Sequence, residues 1–430
     1  MFSQNGLSLD QAPPISVVFR FFLSGSLFGL LAGTLICLFG TDIFTPDTTQ
    51  ALVITHTLTL GVMLSFMFAA LFQMLPVIAG VKLTAPTQKA NLVQYPFILG
   101  VLSLLFAFHS GKPVFFMGAS ILLGSAILGI AFVMLKNLIA LPNHSNSSRG
   151  MSVALTSLVV LTLLALYMTG TLAGLWQGSY YTQIKTAHYS FGLFGWIALL
   201  IISISFQVIE MFYVTPPYPA FISKSLPQRV FVLLLIGTVG SFFFEKTWMV
   251  IDLFIIIFML CYALMTLRRL SQRKRPIADA TVWLWRMGMG LLVLSMAATL
   301  DTRFYDVAGL QALNYIFFAG FALSIVLAMF YKIVPFLTWF HLNSQGYFTA
   351  PMMHEVIHPK TAMKHLYIHI ATLIAFAVSV FIPAVIYLAG ILTLLSFGWM
   401  LWQVVHAWRL YVYTQKTGER FEMTMPEVES

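Results

Sequence analysis

Long apolar runs, broken at intervals by Gly, Pro, Asn or charged positions, fill this chain from about residue 15 to residue 413. A helix crossing the roughly 30 Å hydrocarbon core of a bilayer needs about 20 apolar residues. On that measure the runs predict about twelve spanning helices, at roughly 15–40, 49–79, 90–108, 113–138, 151–176, 181–213, 227–243, 247–267, 280–300, 307–340, 362–384 and 386–413. The connecting segments, the longest near 214–226, 268–279 and 341–361, are too short to form a soluble domain.

Three of the spans repeat one pattern: LGVMLSFMFAALFQMLPV from Leu60, FGWIALLIISISFQVIEM from Phe194 and AGFALSIVLAMFYKIVPF from Ala319. Each has Gly at its second position (Gly61, Gly195, Gly320). An aromatic follows eleven residues later (Phe72, Phe206, Tyr331), then a long polar side chain (Gln73, Gln207, Lys332). The glycines lie 134 and 125 residues apart, a spacing that suits successive blocks of four membrane helices. The expected fold is therefore all-α: a polytopic membrane bundle of about twelve helices with pseudo-threefold repeats of four. It forms one membrane domain over 1–430, with blocks near 15–138, 151–267 and 280–413.

Composition agrees. A chain of 430 residues that is 59% hydrophobic and 9% charged has more apolar surface than a soluble core can bury, so lipid is its solvent. The first fifteen residues carry no basic start and no small-residue cleavage site, so a cleaved signal peptide is not expected. Lys and Arg concentrate in alternate loops, most densely from Arg268 to Arg275, while Asp42, Asp47, Glu245, Asp301 and Asp306 lie in the others. The positive-inside rule then places both termini in the cytoplasm, as for a protein of the bacterial inner membrane. The net charge of +9 comes from these loops; it points to anionic lipid headgroups and not to nucleic acid. Cys37 and Cys261 fall in apolar runs, with no C-x-x-C-H haem attachment, and are expected as free core residues.

Ionisable groups inside hydrocarbon are costly and mark candidate sites. His56 and His188 lie near the outer ends of spans two and six. They precede their repeat glycines by five and seven residues, which on regular helices gives similar depth and different directions. Either they ligate haem iron or copper, or they hydrogen-bond a neighbouring helix. Lys185 and Arg303 stand nearby as cations for haem propionates, or as snorkelling interfacial residues. At the inner ends, Gln73, Gln207, Glu210 and Lys332 form a polar level, and Glu210 and Lys332 are expected to pair. His354, Glu355 and His358 spell H-E-x-x-H, but Pro359 follows at once and no third ligand is apparent, so zinc hydrolysis is not the expected chemistry. His341, Met352, Met353, Met363, His365 and His369 add soft and imidazole donors in the same region, a set suited to copper.

Twelve helices with both ends inside, threefold repetition in blocks of four, and His in spans two and six together resemble subunit I of the haem-copper oxidase superfamily. They are similar also to the layout of nitric-oxide-response membrane proteins that bind haem and copper. The resemblance implies His56 as an axial ligand of a low-spin b-type haem and His188 as a copper ligand. It departs from the family in span seven, where Gln228 to Phe244 contain no histidine. It departs again in span ten, which offers Asn314 and Tyr315 where axial histidines belong. A complete binuclear centre and terminal-oxidase activity are therefore not expected. The leading expectation is a haem- or copper-binding relative serving electron transfer, gas sensing or cofactor handling, alongside respiratory subunits or another redox partner. A permease for a metal ion or small solute, and an assembly partner of a respiratory complex, are the alternatives.

Overall fold

The computed structural model describes residues 12–81, 83–275, 277–304 and 309–420, without the side chains of 78 and 302–304. Twelve helices dominate it: α1 Ile15–Phe39, α2 Thr49–Ala79, α3 Pro86–Ser110, α4 Pro113–Ile139, α5 Asn146–Leu172 and α6 Tyr181–Tyr213, then α7 Leu226–Gly240, α8 Thr247–Ser271, α9 Ala280–Phe304, α10 Leu310–Ser344, α11 Pro359–Ser379 and α12 Val385–Thr417. No strand occurs among the described residues, only one isolated bridge between Tyr347 and Arg420. Eleven of these helices are long and apolar enough to cross a bilayer. The exception is α7, whose 15 residues reach about 22 Å. The protein is an integral membrane helical bundle in contact with lipid.

Helix ends follow local chemistry. The Thr48 hydroxyl accepts from the Ala51 N–H at 3.2 Å to start α2, and Ser145 accepts from the Ser148 N–H at 3.0 Å to start α5. That Ser145 cap explains why α5 begins before the apolar run does. Pro86, Pro113 and Pro359 open α3, α4 and α11, where a missing N–H is harmless. The last helix runs on to Thr417, beyond the 413 expected from hydropathy, and its end is tied to Tyr347.

The threefold expectation is visible in the packing. Within each block the first helix packs on the second (α1 on α2, α5 on α6, α9 on α10) and the third on the fourth. Between blocks α4 meets α5, α8 meets α9 and α12 returns to α1, closing a ring. The repeat helices line its centre: 78%, 78% and 67% of the most apolar windows of α2, α6 and α10 are buried, against 33% to 56% for the other long spans.

The repeat glycines mark where each central helix meets the one before it. A Cβ on Gly61 would lie 2.6 Å from Phe28 of α1, one on Gly195 3.1 Å from Ser157 of α5, and one on Gly320 3.0 Å from Leu291 of α9. Ring closure is tighter still. Helix α1 carries Gly25, Gly29 and Gly33 at intervals of four, and this small-residue stripe meets Phe66 of α2 and then Phe397, Leu394 and Gly390 of α12. A Cβ on Gly33 would stand 2.8 Å from the Leu394 backbone N and 3.1 Å from the Gly390 O, so the obstacle is backbone that cannot swing aside. Cys37 donates weakly to the Tyr387 carbonyl across the same seam, whereas Cys261 is exposed on the outer face of α8 and not in the core.

Gly33→Ala should lower the melting temperature of the detergent-solubilised protein, at a cost of about 1–3 kcal/mol for overpacking a tight contact. Gly398→Ala on α12, where a Cβ would meet only Leu30 at 3.8 Å, should be neutral or slightly stabilising. Equal behaviour of the two variants would show that α1 and α12 do not meet through these glycines.

Candidate functional site

The structure brings the two candidate histidines together. His56 is the last residue of the α-helical segment Thr49–His56, and His188 lies near the end of Tyr181–Ser190, so each is the eighth residue of its span. The rings stand 6.4 Å apart between centroids, with planes 18° from parallel. The expectation of diverging directions is overturned. Around a threefold axis neighbouring helices meet through non-equivalent faces, so two side chains that touch across the seam must differ in phase.

Directly below each histidine the helix changes character. Residues Thr57–Leu64 of α2 and Phe191–Ala198 of α6 are π-helical, and α10 has no such stretch. Both π segments begin four residues before the repeat glycine and end three after it. π-helical turns are rare, occur mostly as short insertions in α-helices, and are frequent at functional sites.

The electronic state of the pair follows from its partners. His56 Nδ1 lies 2.8 Å from the Leu52 carbonyl, which only accepts, so Nδ1 carries the proton and Nε2 keeps its lone pair. This is the arrangement of a metal-binding imidazole oriented by a backbone carbonyl. The His188 Nδ1 is buried without a hydrogen bond of ordinary geometry, and the backbone group that the imidazole faces is that of Leu161 in α5. Phe108 of α3 packs on the His56 ring at 4.9 Å and forms one wall. Two imidazoles suffice for haem iron, whose porphyrin supplies the other donors, or for copper in a low-coordinate site; tetrahedral zinc needs more. Among the described residues no group of three or more His, Cys, Asp or Glu is assembled as a metal site.

Lys185 lies one turn before His188 and forms a salt bridge to Asp47, with its Nζ 3.0 and 3.1 Å from the two carboxylate oxygens. Asp47 adopts a left-handed backbone conformation (φ 62°) in the loop before α2. The bridge therefore ties that loop to the outer end of α6, above the histidine pair. The Arg303 side chain lies outside the described residues.

At the inner level the expected pair is corrected. Lys332 bonds Asp279 Oδ2 at 2.7 Å, while Glu210 Oε1 accepts from the Tyr218 N–H at 3.2 Å. Asp279 sits one residue before α9. Its Oδ1 also accepts from the Thr281 and Val282 N–H groups at 3.0 and 3.1 Å and from the Thr281 hydroxyl at 2.6 Å. Tyr213 of α6 donates to that same hydroxyl at 2.9 Å, and the Lys332 ammonium lies over the Tyr213 ring at 5.5 Å. One node thus joins α6, α9 and α10. The D-A-T string before an apolar run is a helix-start signature, and it was the signal available for Asp279. Gln207 is partly buried, whereas Gln73 is 3% exposed and both its amide atoms lack partners.

Two further histidines are tied into the bundle by hydrogen bonds, whereas His341 is buried with its Nε2 unpartnered. His365 engages both ring nitrogens, Nδ1 with Tyr331 of α10 at 2.7 Å and Nε2 with Ser396 of α12 at 2.8 Å. His369 meets Ser324 of α10 at 3.0 Å. Both are buried and bolt α11 to its neighbours. The H-E-x-x-H string does not form one helical face. His354 and Glu355 lie on the short helix Met353–Val356, Ile357 is extended, and His358 caps α11 through Nδ1 and the Lys360 N–H at 3.1 Å.

No protein-family model matches this chain, and no curated protein matches it. Fold and site together define a polytopic integral membrane protein with an imidazole pair between two central helices.

Burial raises the Asp279 carboxyl, but the Lys332 charge and the hydrogen bonds from Lys332, Thr281 and Val282 outweigh it and hold the group below its ordinary value. A depressed carboxylate stabilises the fold above its unfolded value and loses that contribution as pH falls through the folded one. The melting-temperature difference between wild type and Asp279→Asn should therefore be present at neutral pH, begin to shrink below about pH 4 and vanish only once pH has passed below the depressed folded value. A difference independent of pH would refute the pairing.

Proposed function

We propose that this protein is a relative of haem-copper oxidase subunit I that holds a b-type haem or a copper ion between His56 and His188, near the outer face of the bacterial inner membrane. Both termini are then cytoplasmic. The bound group would serve electron transfer, gas sensing or cofactor handling, without a complete oxygen-reducing centre. The observation that carries this reading is the 6.4 Å separation of the two nearly parallel imidazoles. A metal–imidazole bond is about 2.0–2.1 Å, so two rings at this distance suit one shared ion, to within roughly an ångström.

In this reading the chain does three things. Leu52 fixes the His56 tautomer, so that the lone pair is on Nε2. His188 contributes a buried imidazole that faces the Leu161 backbone of α5 and makes no hydrogen bond of ordinary geometry through Nδ1. The Asp47–Lys185 bridge and Phe108 hold the outer rim in place. The bound group supplies one-electron or diatomic-gas chemistry. With Lys185 engaged by Asp47, a role for it toward haem propionates would require exchange of partners. A respiratory subunit or other redox carrier would meet this rim.

An optical spectrum of purified protein, oxidised and dithionite-reduced, should show a Soret band, or metal analysis should find copper near one per chain. Either signal should fall to background in His56→Ala, His188→Ala. Colourless, metal-free wild-type protein, made in cells replete in haem and copper, would sink the proposal.

A second reading, a permease for a metal ion or small solute, is favoured by one observation: Gln73, buried with neither amide atom satisfied, at the level of the Lys332 node. An unpaired buried amide costs about 1–3 kcal/mol. Under the cofactor reading Gln73→Leu should raise the melting temperature and leave the spectrum unchanged. Under the permease reading it should abolish solute flux in proteoliposomes. A role in assembling a respiratory complex would instead show as co-purification of oxidase subunits under mild detergent.

A further inference from the structure

Helix α12 has 33 residues and is about 50 Å long, against a hydrocarbon core of roughly 30 Å. Counted from Val385, its last turns stand at headgroup level. One side of this end is fully engaged. Gln345 donates to the Tyr411 hydroxyl at 2.8 Å, Gln415 donates to Tyr411 and Gln345 at 3.0 and 2.9 Å, and the Tyr347 hydroxyl donates to the Gln415 carbonyl at 3.0 Å. The adjoining side carries a shallow groove of about 320 Å³ lined by Trp408, Arg409, Val412, Tyr413 and Lys416.

Each part of this groove has an identifiable chemistry. Arg409 and Lys416, seven residues apart on one face, are exposed and make no hydrogen bond or ion pair among the described residues. Trp408 is held in place by Phe19 of α1 at 6.3 Å and by stacking on Tyr411 at 5.7 Å, so one wall is rigid. Tyr413 is 64% exposed and Val412 makes an apolar floor. Tryptophan and tyrosine favour the membrane interface, and cations there reach for lipid phosphates. No carboxylate lines the groove to compete.

We propose that this groove is a binding site for the headgroup of an anionic phospholipid. Arg409 and Lys416 flank the phosphodiester, Trp408 and Tyr413 lie at the glycerol level, and Val412 contacts the start of an acyl chain. This site is independent of the histidine pair.

The test is native mass spectrometry of the full chain in mild detergent, titrated with phosphatidylglycerol and, separately, phosphatidylcholine. Wild type should retain phosphatidylglycerol in preference to phosphatidylcholine. Arg409→Gln, Lys416→Gln should weaken that retention by roughly 10- to 30-fold, the loss of two interfacial cations. Lys112→Gln, Lys246→Gln, an equal charge change at exposed loop lysines far from the groove, should leave it unchanged, and Val412→Trp, which fills the floor with both cations kept, should weaken it. Equal retention of the two lipids, equal loss in both double variants, or undisturbed binding by Val412→Trp would overturn the site. Displacement of the lipid by millimolar inorganic phosphate would assign the pocket to a free anion and overturn the lipid assignment.

Discussion

Hydrocarbon offers no partner to a peptide N–H or C=O, so every spanning segment must satisfy its own backbone, and here each does so as a helix. The same solvent removes the usual reason for helices to associate, because a leucine gains little by leaving lipid for protein. What remains is close van der Waals contact and hydrogen bonding between helices, and both are placed where the ring needs them. Glycines bring α1 to α12 and each central helix to its predecessor, and the His365, His369 and Asn314 side chains bond across adjacent spans. The threefold architecture is thus a set of contacts that only small or mutually bonded side chains permit.

Much of this was legible from the chain. An apolar run bounded by Pro and Gly has nearly no freedom in where its helix ends, as 113–138 against Pro113–Ile139 shows. Polar helical turns at the ends were not legible. Asn146–Arg149 and Thr414–Thr417 continue helices that hydropathy ends early, because caps and tertiary ties act there and not lipid. The stripe Gly25, Gly29, Gly33 was present in the sequence as a recognised contact pattern, yet its partner helix, eleven spans away in the chain, has no local signature.

The candidate site divides along the same line. Depth is a one-dimensional quantity and can be counted from a repeat, which is why His56 and His188 were placed at one level. Azimuth depends on which faces meet, and there counting failed in both directions. The two imidazoles adjoin where divergence was expected, and Glu210 and Lys332 do not pair where matched depth suggested it. Lys332 turns instead to Asp279, a loop carboxylate already positioned by the N–H groups at the start of α9. A preorganised acceptor outcompetes one that must leave its own bond to Tyr218.

The two π segments bear on how such a molecule can vary. A π turn holds more residues than an α turn, so each segment acts as a rotary coupling between the outer third of its helix and the remainder. Relaxing one to α geometry would turn the histidine end by roughly 100° per residue removed while the inner end kept its packing. The outer histidine level and the inner polar level are therefore rotationally separable along α2 and α6. Along α10, which has no π segment, the two ends share one α-helical phase from Leu310 to Ser344.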